Sequence, residues 1–304
     1  MSKWLIYATV SLFAWALWSL VSPVATRDIS PNIVQVLSSI GLVPFAGALL
    51  FSSNLKRGTN IRKGCVLAVA TGITAGLGNV LLYQALANGG PVSVVFPVTS
   101  MAPLVPVLAA PFLFRERLRR IQIVGIAIAL IAIYLLNTAP AGTAPTAHPV
   151  LVSKWMLYTI LCLIVFGFTF LTQKGATYFI SDELSTVAYT AGFLLLDIPL
   201  LVMEPFDSAR IPVLGGSVSL LIGILMGVGS LTLFAAYRHG KASVVTPYSQ
   251  LFPIITVLAG VPLYGERLDL LRSAGVVAAL AAGVILSIEK PEPAPLSREA
   301  VAAE

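Results

Sequence analysis

The sequence predicts an all-α integral membrane protein whose ten transmembrane helices form two inverted-topology repeats of five. Three observations predict it: a composition too apolar for water, ten apolar runs long enough to span a bilayer, and fixed residues recurring at an offset near 150. Hydrophobic residues make up 57% of the 304 and charged residues only 11%. Soluble chains carry about 25% charge, so this one lacks the polar surface that water would require. The 24 glycines and 20 prolines lie among the apolar runs, where membrane helices tolerate them.

A spanning helix needs roughly 20 mostly apolar residues. Five candidates fill residues 1–136: Trp4–Val24, Ile33–Phe51, Cys65–Ala87, Pro91–Phe114 and Ile121–Leu136. Five more fill 153–288: Trp155–Gln173, Leu184–Val202, Val213–Tyr237, Ala242–Tyr264 and Leu271–Ile288. The stretch 137–152, with Thr138-Ala139-Pro140-Ala141-Gly142, reads as a linker. The polar, Pro-containing tail 289–304 reads as disordered and cytoplasmic. Lys3 ahead of an apolar run resembles a signal peptide, but the same pattern recurs in the second half, so the first run is expected to be a helix of the fold.

Net charge is +6, and loop placement accounts for it without nucleic acid. With the N-terminus inside, fourteen of the nineteen Lys and Arg fall in inside segments, among them Arg115, Arg117, Arg119 and Arg120. That bias predicts both termini on the cytoplasmic side. Cys65 and Cys162 match no metal or redox spacing, and His148 and His239 fall in predicted loops. No metal or cofactor is therefore expected, and no phosphate loop offers a route for ATP.

The repeat is gapless over its clearest stretch. Ser93-Val94-Val95-Phe96-Pro97 matches Ser243-Val244-Val245-Thr246-Pro247, Pro103 matches Pro253, and Glu116-Arg117-Leu118 matches Glu266-Arg267-Leu268. Of the 26 positions from Ser93 to Leu118, 12 are identical at an offset of 150. Upstream the offset is 151, pairing Gly72, Gly76 and Gly78 with Gly223, Gly227 and Gly229, and Trp4 and Tyr7 with Trp155 and Tyr158. An odd number of helices per repeat makes the second half enter the membrane upside down, a recurrent plan of secondary transporters with a midplane site.

In these two stretches, Gly90-Pro91-Val92-Ser93 through Glu116-Arg117-Leu118 and Gly240 through Gly265-Glu266-Arg267-Leu268, the chain resembles the drug/metabolite transporter superfamily, specifically its ten-helix branch with two EamA domains. The resemblance runs to about Ile288. It implies an inner-membrane carrier, commonly an exporter of amino acids or related metabolites, and leaves the substrate open. Arg115 departs from Gly265 ahead of the Glu-Arg pair, a loop variation.

Polar residues within the spans nominate a site. Gly72, Gly76, Asn79 and Tyr83 share one stripe of the third helix, as Gly223, Gly227, Ser230 and Phe234 do in its mate. Polar side chains on such a stripe avoid lipid by facing inward. Ser93, Pro97 and Ser100 form a second stripe, mated by Ser243, Pro247 and Gln250, with Thr99, Tyr248 and Ser249 beside them. Pro97, Pro103, Pro247 and Pro253 are expected to kink their helices and free backbone groups toward a wet path. Trp15, Trp18 and Ser19 lie too deep for interface anchors and form either core or an aromatic cavity wall, shared by Thr169, the mate of Trp18. Substrate contact is thus expected at Trp15, Trp18, Ser19, Asn79, Tyr83, Ser100, Thr169, Ser230, Tyr248 and Gln250.

Asp197 is the one carboxylate inside a span and the candidate coupling group for a proton or counter-substrate. Its place near the predicted outer end favours snorkelling toward water. Glu116 and Glu266 read as helix-end fasteners that pair with the adjacent arginines. A neutral, aromatic, hydroxylated cavity disfavours sugar phosphates, which want buried Arg or Lys, and admits neutral or zwitterionic metabolites. An enzyme would need paired carboxylates, Ser/His or metal ligands within the spans, and none is present in the sequence, so no catalytic residue is expected. Flipping of a lipid or lipid-linked group is the alternative to metabolite transport, with a channel behind it. Small-molecule substrate and membrane lipid are the expected partners; monomer and homodimer are both open.

Overall fold

The computed structural model describes residues 3–53, 55, 58–113, 120–136, 153–207, 211–239, 245, 248–266 and 268–286. The first half contains α1 (Lys3–Ala25), α2 (Pro31–Leu49), α3 (Ile61–Ala87), α4 (Val92–Thr99), α5 (Leu104–Leu113) and α6 (Arg120–Leu136). The second contains α7 (Lys154–Thr177), α8 (Asp182–Met203), α9 (Val213–His239), α10 (Phe252–Tyr264) and α11 (Leu270–Leu286). Six of them, α1, α2, α3, α7, α8 and α9, are long and apolar enough to cross a membrane. The predicted linker and tail, Glu116, Pro247 and Ser243 lie outside the described residues.

Helix starts follow local chemistry. The Ser30 hydroxyl accepts the Ile33 N–H at 3.4 Å, with Pro31 in the first turn of α2. The Asn60 carbonyl oxygen accepts from Lys63 N at 3.1 Å to start α3, and Ser181 Oγ accepts from Leu184 N at 3.1 Å to start α8. These side chains satisfy amides that have no partner within their own helix.

The fourth span corrects the sequence expectation. Pro97 lies inside α4 and does not end it; the helix runs to Thr99 and the chain then breaks at Ser100–Pro103. Through the break, Met101 N bonds Val98 O at 3.1 Å, Ala102 N bonds Thr99 O at 3.0 Å and Leu104 N bonds Met101 O at 2.8 Å. Tighter turns keep these backbone groups paired. Pro103, without an N–H, stands just ahead of α5, and Pro253 sits in the first turn of α10. Both prolines begin a helix segment where the sequence suggests a kink within one, because the missing donor costs nothing in a first turn.

The two halves interleave. α1 packs on α9 and α3 on α7, while α6 meets α11, α4 meets α10 and α2 meets α8. Under the repeat offset, the α1–α9 pair maps onto α7–α3, and the α2–α8 and α6–α11 pairs map onto themselves, while α10 is the mate of α5. Glycines make the tightest crossings. A Cβ on Gly72 would strike the Tyr189 carbonyl and crowd Gly192, and one on Gly223 would strike the Ser38 carbonyl and crowd Gly41. These partners are mates too, since Ser38 and Gly41 lie 151 residues before Tyr189 and Gly192. The two crossings are therefore copies of each other.

Just past α10, Glu266 reaches the start of α4. Its Oε1 accepts from Val92 N at 2.5 Å and its Oε2 from Ser93 N at 2.9 Å. The carboxylate satisfies two orphan amides and sits at the positive end of the helix. Glu266 thus fastens the start of a helix in the other half, where the sequence suggests its own helix end. The end of α10 therefore meets the start of α4.

Candidate functional site

Between the halves lies a cavity of about 110 Å³. Its wall is built in pairs related by the repeat. Trp15 and Phe166, Trp18 and Thr169, Ala75 and Met226, and Asn79 and Ser230 each pair a first-half residue with the residue 151 later. Thr99 with Ser249 and Ser100 with Gln250 do the same at 150. Spacing explains why these side chains converge. Trp15 and Trp18 are one turn apart on α1, and Phe166, Thr169, Phe170 and Gln173 form a stripe on α7. Glycine makes room beside each wall: a Cβ on Gly229 would meet the Trp15 ring at 3.0 Å, and one on Gly78 would meet the Phe166 ring.

Tryptophan packing sets the cavity's floor. Trp18 is 4% exposed and meets Trp15 edge-on at 5.6 Å and Phe96 edge-on at 5.5 Å. Its indole N–H donates to the Tyr83 hydroxyl at 3.2 Å. Edge-to-face aromatics with a satisfied N–H hold a ring in one orientation. Tyr83 itself is fully buried behind Trp18 and does not line the cavity. Ser19 and Tyr248 also stand off it. The Ser19 hydroxyl shares a hydrogen bond with Thr256 at 2.5 Å, while Tyr248 pairs with the Thr9 hydroxyl at 2.9 Å and the edge of Trp4.

The structure thus brings together Trp15, Trp18, Asn79, Ser100, Thr169, Ser230 and Gln250. Lining residues that the sequence reading did not select include Phe166, Gln173 and Tyr189. Phe166 was within reach, being the mate of Trp15. Gln173 lies one turn beyond Thr169. Tyr189 carried no signal, because its mate Ser38 is a small residue buried elsewhere.

Of the five wall residues without a lining mate, four point one way; the fifth, Phe252, packs against Trp18 and Phe96. Phe170, Gln173, Tyr189 and Leu233 line the cavity, whereas their mates Ser19, Ser22, Ser38 and Leu82 are buried at 0 or 1% exposure. The buried set lies toward the end of the bundle where α1 finishes and α4 begins. That end is shut by bonds between the halves. Ser19 bonds Thr256, the Tyr264 hydroxyl donates to the Leu20 carbonyl, and Glu266 holds the start of α4. The cavity extends toward the opposite end.

Among the described residues no charged side chain lines the cavity. Asn79 lends its amide to Met226 Sδ at 3.7 Å, and Thr169 donates to Thr74 at 3.0 Å. What remains for a ligand is aromatic surface, hydroxyls and the amides of Asn79, Gln173 and Gln250. Asp197 stands apart and does not snorkel: it is 5% exposed and accepts from Ser39 Oγ at 3.2 Å. α2 covers the face of α8 that carries it. No group of three or more metal-ligating side chains occurs among the described residues.

Comparison with known proteins agrees with this architecture. The model of the EamA-like transporter family matches residues 2–138 and again 153–288. A Helicobacter pylori protein named an uncharacterized transporter is 25% identical over 194 residues, covering 62% of each chain. An uncharacterized protein of Methanocaldococcus jannaschii is 36% identical over 70 residues, 23% of this chain and 51% of that one. The chain therefore spans less than two thirds of the length of these relatives. One crystal structure superposes with a TM-score of 0.62 at 18% identity, covering 92% of this chain and 94% of that one, which is a likeness of fold. Two family matches, one on each half, flank a cavity that both halves line: the chain belongs to the EamA-like transporter family.

Proposed function

We propose that the protein is a secondary transporter that exports a small neutral or zwitterionic metabolite, such as an amino acid or related compound, across the inner membrane by alternating access. The carrying observation is the asymmetry within a symmetric wall. Two inverted halves of similar sequence can exchange conformations, so the half-cavity that is open on one side becomes the half that is closed on the other. On this reading Phe170, Gln173 and Tyr189, which line the cavity, belong to one opening. Ser19, Ser22 and Ser38 belong to the opposite opening.

The wall chemistry supports the substrate class. Aromatic faces and neutral amides suit a ligand of low net charge; a phosphorylated sugar would want Arg or Lys. A second reading, translocation of a lipid-linked group, draws on one feature, a wholly apolar groove of about 610 Å³ between α10 and α11. Counterflow in proteoliposomes decides between them. Vesicles are loaded with one class at a time (amino acids, nucleosides, quaternary amines, sugars) and labelled uptake is followed. Saturable exchange with one class supports metabolite transport. Silence from every class, with folded protein and movement of a fluorescent lipid, replaces it with the lipid reading.

A further inference from the structure

Asp197 lies outside the cavity, and the seam that holds it has features the cavity does not explain. The seam joins α2 of the first half to α8 of the second. Gln35 and Ser39 on α2 are each 0% exposed, and Ser39 bonds Asp197, itself 5% exposed. Ser39 carries one hydroxyl hydrogen and stands within reach of two acceptors, Asp197 Oδ1 at 3.2 Å and the Gln35 backbone carbonyl at 3.1 Å. Ser39 Oγ in turn accepts from Gln35 Nε2 at 3.2 Å. Gln35 Oε1 is buried with no donor at all. The cluster is one hydrogen short, and an unpaired buried acceptor is costly.

Packing alone does not demand a carboxylate here. Under the offset of 151, Asp197 corresponds to Ala46, Ser39 to Thr190 and Gln35 to Thr186. At that other end of the same seam, the Thr190 hydroxyl simply donates to the Thr186 carbonyl at 2.9 Å. The seam therefore closes at one end without any ionisable group.

Among the described residues, charged partners do not account for Asp197 either. α2 carries no titratable side chain. α3 has Arg62, Lys63 and Cys65 in its first turns and Tyr83 near its end; α7 has Lys154, Tyr158 and Cys162, with Lys174 in its last turn. α9 has Arg238 and His239 in its last turn, and Arg238 pairs with Asp182 at 2.9 Å at the far end of α8, beside Glu183. Tyr189 faces the cavity, and Glu204, past the end of α8, accepts from Asn32 at 3.2 Å.

We propose that Asp197, Ser39 and Gln35 form a proton-binding site in the α2–α8 seam, and that taking up or releasing the proton biases the sliding of one half against the other. A proton on the carboxylate makes Asp197 a donor toward Ser39 Oγ and lets Ser39 turn its hydrogen back to its own helix. Without it, Ser39 must cross the seam to Asp197. Protonation thus changes which hydrogen bonds tie the halves together, which is what a coupling ligand has to do. The coupling half of this statement rests on the transport reading; the proton site does not.

The test is pH-difference infrared spectroscopy on the full chain in lipid vesicles, following the carbonyl stretch of a protonated carboxyl between about pH 5 and about pH 9, where desolvated carboxyls titrate. The expected result is a titrating band that is lost in Asp197→Asn and whose midpoint is displaced in Ser39→Ala and Gln35→Leu. If Asp197→Asn does not fold, the two α2 variants carry the test, and a midpoint unmoved in both overturns the site. So does the absence of a titrating band in the parent protein, or a band that survives in Asp197→Asn. A band that responds to added sodium at fixed pH but not to pH assigns the site to a metal cation and also overturns it. Because no transported compound enters the measurement, a missing band removes the proton site whatever is carried, and failed counterflow leaves the band standing.

Discussion

The two sides of the cavity are made from the same sequence pattern and stand in different states. On one side Ser19, Ser22 and Ser38 are buried under Trp18, and Glu266 and Tyr264 fasten one half to the other. On the other side their mates Phe170, Gln173 and Tyr189 line open space. The glycine crossings flanking the cavity show no such difference, since Gly72 on Tyr189 and Gly192 repeats Gly223 on Ser38 and Gly41. The contrast separates rigid parts from moving ones. Under the proposed alternating access, crossings that admit no Cβ act as pivots common to every state, while side chains above and below them open and close.

That distinction is open to direct attack, beginning with the largest effect. Gly72→Ala and Gly223→Ala each push a methyl into backbone carbonyls that have no room to shift, and each is expected to cost about 1–3 kcal/mol. Thermal unfolding in detergent should show similar losses for the pair. Gly47→Ala on α2, with nothing within 4 Å of its Cβ, should be neutral or gain up to about 1 kcal/mol from helix propensity. Unequal losses at Gly72 and Gly223 would contradict the shared-pivot picture.

Next is the closed side. Glu266→Ala removes two hydrogen bonds from the start of α4 and is expected to cost about 0.5–2 kcal/mol. It should also raise labelling of a cysteine placed at Ser22 by an impermeant thiol reagent in a background lacking Cys65 and Cys162. Lower stability without added labelling would make Glu266 a cap only. Smallest is Thr190→Ala, which deletes a hydroxyl bonded within its own helix; the change should stay within about 0.5 kcal/mol and leave exchange unaltered.

Much of this was legible in the sequence. Hydropathy located the helices because a bilayer demands long apolar runs, and Ser30, Asn60 and Ser181 mark helix starts by the chemistry that makes them caps. The offset of 151 carried most of the cavity, since Trp15, Trp18 and Asn79 line it together with their mates. Tyr83 misled, because a stripe fixes a direction around a helix but not which neighbour intervenes, and Trp18 does. Asp197 misled because depth along one helix says nothing of α2 lying over it. Glu266 was read as a helix-end fastener but not its partner, because the amides it holds, Val92 and Ser93, lie in the other half.

The most direct test of alternating access locks the closed side. Ser19 on α1 and Thr256 on α10 place their hydroxyl oxygens 2.5 Å apart across the two halves, so a Ser19→Cys, Thr256→Cys pair without Cys65 and Cys162 is placed to form a disulfide. Exchange of the substrate class found by counterflow is then measured before oxidation, after it, and after reduction. Alternating access predicts at least a tenfold loss on cross-linking, a barrier increase of about 1.4 kcal/mol or more, and recovery on reduction. Undiminished exchange by fully cross-linked protein would show that this side never opens, and would contradict the account.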